Sequence, residues 1–148
     1  MKRTLLAMTL VAATAATAFA AEDPIATRKA LMQSNGAVAG LSAGLMKGDI
    51  AYSPAAGKAA IAALNGVAMA IGDYFPEGSD MGADTKAAPK IWEDRAGFDA
   101  AVAKFAADTG AAMQASGKDG PADLAAFQAA VGPVLGNCKS CHEAYQVR

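Results

Sequence analysis

The sequence predicts an all-α protein, an antiparallel four-helix bundle, and three observations carry that prediction. Alanine and glycine are heavily used while β-branched residues are sparse, a composition that favours helices separated by glycine breaks. Apolar residues recur at steps of three, four and seven in four segments, and none alternates with the period of two that a strand needs. Proline and glycine mark the segment boundaries and leave mainly short links, which make consecutive helices antiparallel neighbours. No internal repeat is evident, and 148 residues suit one domain once a leader is trimmed.

The first segment opens at Asp23-Pro24, a capping residue followed by a proline at the first helical position. Its apolar stripe is Leu31, Met32, Val38, Leu41, Leu45 and Met46, and Gly48 supplies a stop. The second opens at Ser53-Pro54, steps through Ile61, Leu64, Ala68, Ile71 and Phe75, and ends at Pro76. Residues 77–88, with Gly78, Ser79, Asp80, Gly82, Asp84 and Thr85, read as the longest loop, suited to a crossover. The third segment starts around Pro89 to Trp92, continues through Phe98, Val102, Phe105, Thr109 and Ala112, and closes at Gly117 to Gly120. The fourth starts at Pro121 and steps through Leu124, Phe127, Val131, Val134, Cys138, Cys141 and Tyr145 nearly to Arg148. Gly132-Pro133 inside it removes one helical hydrogen bond and predicts a kink.

The first twenty residues are expected to lie outside the fold. Lys2 and Arg3 precede an apolar run from Leu5 to Val11, and Ala18-Phe19-Ala20 places small residues where a signal peptidase reads. Residues 1–20 therefore read as a secretory signal peptide and 21–148 as the functional domain, exported to the periplasm. The chain carries 13 basic and 14 acidic residues, and losing the two leader cations leaves a net charge of about −3. That balance lacks the basic footprint of a nucleic-acid binder. No further apolar run is expected to span a bilayer after cleavage.

The two cysteines stand three apart in Cys138-Lys139-Ser140-Cys141-His142, the attachment pattern of a c-type haem. Each thiol adds to one vinyl group, and residues three apart share a helix face, as the two vinyl groups require. The adjacent imidazole, from the chain's only histidine, is then placed to bind iron. The competing readings fit less well. A thioredoxin-like pair belongs between a strand and a helix start. Zinc wants four ligands, and no other Cys or His is present. A disulfide across so small a loop adds little stability.

Most of the chain precedes this motif, and the whole resembles the class II cytochromes c: cytochrome c′ and its low-spin relatives of the c-556 type. The resemblance rests on Arg28 with Leu31-Met32, Met46-Lys47-Gly48, Pro89-Lys90-Ile91-Trp92 and Cys138 to Tyr145. It implies a four-helix bundle around one haem c, held by thioethers to Cys138 and Cys141 with His142 as axial ligand. It also implies that Met32 occupies the position that supplies the sixth ligand in the c-556 branch, and that Arg28 lies near the haem propionates. Met32 shares a helix face with Arg28, one turn earlier. Methionine is equally a common core filler, so the stripe alone does not make it a ligand. Met46, Met69, Met81 and Met113 are the other candidates. The family pattern places an arginine four residues after the histidine, and Gln146 stands there instead.

The leading expectation is a periplasmic carrier of single electrons with a low-spin haem between His142 and Met32, since two strong axial ligands leave no site for a substrate. The alternative is a five-coordinate cytochrome c′ that binds nitric oxide or carbon monoxide at an open distal site. A haem enzyme such as a peroxidase is disfavoured, because no second histidine offers acid–base help. Expected partners are redox proteins, with small gases in the alternative. Lys118 and Lys139 offer charge for guiding a partner. The chain is expected to be a monomer or a homodimer, with Ala43, Gly44, Ala59 and Ala60 small enough for close helix contact.

Overall fold

The computed structural model describes residues 23–147 and is all-helical. Its helices are α1 (Pro24–Lys47), α2 (Pro54–Ala70), the single turn α3 (Lys90–Glu93), α4 (Arg95–Ser116) and α5 (Leu124–Tyr145). A 3-10 turn, Ile71–Tyr74, extends α2. The four long helices form the expected bundle. α4 packs against α2 and α5, and α1 closes the ring against α2 and α5. The leader and its cleavage site lie outside the described residues.

The helix starts follow their capping chemistry. Asp23 accepts from the backbone N–H groups of Ile25 and Ala26, at 2.9 and 3.2 Å. Ser53 accepts from Ala56 at 3.1 Å. Each such cap satisfies a donor the helix leaves free and stabilises by about 1 kcal/mol. Gly48 ends α1 with φ +79°, a left-handed conformation that glycine adopts without a Cβ penalty.

Three boundaries and one expectation about apolar runs differ from the sequence reading. The third segment is broken at Asp94, whose backbone leaves the helical region; its carboxylate caps α4 through Gly97 N–H at 3.1 Å. The fourth helix begins at Leu124 rather than Pro121, because Asp123 caps it through Ala126 N–H at 2.8 Å. It ends at Tyr145, short of Arg148. Gln146 is extended and pairs antiparallel with Ala87, the one isolated bridge among the described residues. Finally, Pro54–Tyr74 is long and apolar enough, by length and composition, to cross a membrane, contrary to the expectation of no such run. In the bundle its residues Gly57, Ala60, Ile61, Leu64, Val67, Ala68 and Ile71 are buried against the other helices.

The core is built from the predicted stripes of α2, α4 and α5. Ile61, Leu64, Ile71, Phe98, Phe105, Phe127, Val131 and Val134 are all buried. Full burial of an aromatic such as Phe127 is worth about 1.5–3 kcal/mol. It rests against Tyr52, with ring centroids 5.7 Å apart. α1 departs from this scheme. Its buried residues are Ile25, Arg28, Asn35, Ser42 and Leu45, while Leu31, Met32, Val38, Leu41 and Met46 are only half-buried against the core. Of the small residues proposed for helix contact, Ala60 is in the core, and the Ile50 side chain packs over Gly44.

Candidate functional site: a haem cavity at one end of the bundle

A cavity of about 380 Å³ opens between α1, the 3-10 turn, α4 and α5, with loop residues 84–87 at its rim. Its volume lies in the range of about 300–1,000 Å³ usual for small-molecule and cofactor sites. The walls are mainly apolar: Ile71, Phe75, Ile91, Phe98, Val102 and Phe105. All five residues singled out in the sequence line it: Arg28 and Met32 from α1, and Cys138, Cys141 and His142 from α5.

The last turns of α5 carry the attachment motif. Cys138 and Cys141 are half-buried, unbridged thiols, and His142 is exposed at the mouth. Burial pushes both thiols above the ordinary cysteine range, and for Cys141 the neighbouring Cys138 adds to it. Cys138 Sγ lies 4.0 Å from the Val134 carbonyl. Next to it, Asn137 donates to Asp108 Oδ2 at 2.8 Å, tying α5 to α4. Lys104 also donates to Asp108, at 2.6 Å. The Lys104 bond first, then the Asn137 bond, hold the Asp108 carboxyl below its usual range. Tyr145 lines the cavity, meets Phe98 edge-on with centroids 5.5 Å apart, and donates to Asp94 Oδ2 at 3.3 Å.

Arg28 does more than border the cavity. Its terminal nitrogens donate to Tyr74 O (3.1 Å), Ser79 Oγ (2.9 Å), Ser79 O (2.6 Å) and Thr85 Oγ1 (2.7 Å). The guanidinium also stacks over Phe75, 4.9 Å from the ring centroid. Burial lowers its pKa from the usual guanidinium value, and Asp23 works against that shift. Arg28 thus clasps the long loop to α1. Trp92 is absent from the cavity wall; it packs against Phe75 and donates to Pro76 O at 3.0 Å.

Met32 is the methionine that lines the cavity among the described residues. Met69 and Met81 are exposed, and Met46 and Met113 pack elsewhere on the core. Lys29, Asn35, Lys86 and Asn137 also line it, and motif reading missed all four. Asn35 had a signal available: it follows Arg28 and Met32 on one face at steps of four and three. Nothing local marks Lys86, which reaches the rim only because its loop folds back.

The family model described as Cytochrome C′ matches residues 23–146. The chain belongs to the cytochrome c′ family. It is 40% identical to a cytochrome c′ of Rhodopseudomonas palustris over 88% of this chain and 86% of that one. A solved cytochrome c′ structure from that organism superposes with a TM-score of 0.76, covering 85% and 97% of the two chains. It is 34% identical to a cytochrome c-556 of Agrobacterium tumefaciens, over 82% and 94% of the chains. A nitric oxide complex of a cytochrome c prime variant from Alcaligenes xylosoxidans is 28% identical, covers 86% and 96%, and superposes with a TM-score of 0.73. As in this family, the cofactor is covalently bound haem c, and the chain holds two cysteines for it. The cavity fits that group: apolar walls for the macrocycle, with two thiols and an imidazole one turn apart on one helix. Members of the cytochrome c′ family serve electron transfer and gas binding and are not typical enzymes.

Proposed function

We propose that this chain is an exported cytochrome c′ that takes nitric oxide or carbon monoxide at an open position on the α1 side of its haem. Cys138 and Cys141 form the thioethers: each S–H adds across a vinyl group, sulfur to one carbon and hydrogen to the other, so nothing leaves. His142 holds the iron from the α5 side. Met32, which lines the cavity from α1, would border the open position as part of its wall. Haem iron supplies one-electron chemistry and diatomic binding. Arg28 keeps the loop wall in place, and Lys29 and Lys86 offer positive charge near the rim for haem carboxylates. The leader, residues 1–20, is removed after Ala20 and delivers the protein to the periplasm.

The observation that carries this reading is the likeness to cytochrome c′ proteins along nearly the whole chain, at higher identity than to the c-556 relative. It moves the weight away from the electron carrier that the sequence led us to expect. One observation favours that carrier as a second reading. Met32 lines the cavity from α1 and His142 from α5, so both side chains would be available to the iron.

Absorption spectra separate the two readings. The open-site reading expects a broad high-spin spectrum, a clear shift on adding carbon monoxide to the ferrous protein, and little change on Met32→Ala. Sharp low-spin bands, a sulfur-to-ferric charge-transfer feature lost in Met32→Ala, and no response of the parent protein to carbon monoxide would establish the electron carrier instead.

A further inference from the structure

Asn35 is nine-tenths buried, and its Oδ1 makes no hydrogen bond. It lines the haem cavity. A buried carboxamide atom left without a partner costs about 1–3 kcal/mol, so such groups persist where something satisfies them. The other polar groups of the wall are committed or solvated. Arg28 and Thr85 bond to each other, and Asn137 bonds to Asp108 and to Pro133 O. Tyr145 bonds to Asp94, and Lys29 donates to Ala83 O. Gln33, Asp84, Lys86 and Gln146 are exposed. Among the described residues of the wall, Asn35 is thus the one with a fully buried side-chain polar atom that has no partner.

A haem offers such a group two kinds of polar partner: its carboxylates and whatever binds its iron. The carboxylates belong where the charge is, at the end holding Arg28, Lys29 and Lys86. Asn35 lies seven residues beyond Arg28, roughly 10 Å further along the helix. It sits one turn past Met32 on the same face. An asparagine side chain also presents its N–H₂ or its oxygen by a half-turn of the amide, so it can donate.

We infer that Asn35 is the polar contact of the ligand position: its carboxamide N–H₂ hydrogen-bonds to a diatomic molecule held on the α1 side of the haem. This rests on the open-site reading above. It adds a discriminating element, since a donor at that point favours ligands that draw electron density from the iron.

The test is infrared and flash-photolysis measurement of the carbon monoxide adduct of the ferrous holoprotein. Asn35→Leu and Asn35→Ala are compared with the parent, both in the natural background and in Met32→Ala. The proposal expects both substitutions to raise the C–O stretching frequency and to speed release about 3- to 10-fold, the worth of one net hydrogen bond. Leucine keeps the volume and alanine removes it, so a shared change reports the hydrogen bond. Changes in opposite directions, a change in only one variant, or none in either background overturns the proposal. If the parent binds carbon monoxide only once Met32 is removed, the open-site reading falls, and the Met32→Ala pair still decides Asn35.

Discussion

At Arg28 a buried guanidinium lies between an aromatic ring and four oxygen acceptors, three of them on Ser79 and Thr85 of the long loop. Lysine there keeps the charge and loses the fork, because an ammonium cannot serve acceptors spread over that plane. Arg28→Lys should cost about 2–3 kcal/mol of holoprotein stability, in keeping with hydrogen bonds from a charged donor. Urea unfolding measures that loss, and limited proteolysis should cut within residues 77–88 faster than in the parent. At this scale the sequence was a good guide to position and a poorer one to partners. Cys138, Cys141, His142, Met32 and Arg28 all face the cavity because local motif and helical spacing govern them. The acceptors of Arg28 were not legible, since they lie 46 to 57 residues away and depend on how the loop returns.

Among the elements, α2, α4 and α5 match their apolar stripes because those stripes meet one another in the shared core. α1 does not. Its most buried positions include Arg28, Asn35 and Ser42, at seven-residue intervals. Periodicity scores apolar residues only, and α1 turns a partly polar face inward toward a loop and a cofactor cavity. Asp94 escaped the same reading for a different reason: a single capping carboxylate can divide a continuous apolar pattern. Its two oxygens serve Gly97 N–H and the Tyr145 hydroxyl, so it fixes the start of α4 and the last turn of α5 together. Asp94→Ala should therefore destabilise by about 1–2 kcal/mol, the range for lost caps. Thermal unfolding followed by circular dichroism checks the size. Asp94→Asn, which keeps an acceptor oxygen, should recover most of the loss.

For the molecule as a whole, acid stability should depend on the Asp108 link between α4 and α5. Its pKa is lowered in the folded state, so its contribution is complete above the unfolded carboxylate value of about 3.9. That contribution disappears as pH falls through the depressed folded value. Asp108→Asn should lower the urea midpoint at pH 7, and the difference from the parent should shrink as pH falls through the depressed folded value. A constant difference across that range would remove Asp108 from the acid response. The helix order and the bundle were legible in the sequence, since they follow from short links and stripes. The closure of the site was not, because it depends on backbone pairing between distant segments. Ala88 N donates to Tyr145 O and Val147 N to Lys86 O, both at 2.9 Å, while Ala87 N donates to the Thr85 hydroxyl that Arg28 holds. The turn beyond His142 and the clasped loop are thereby one mechanical piece. Any displacement of the last turn of α5 would therefore move the outer surface around Asp84 and Lys86 with it.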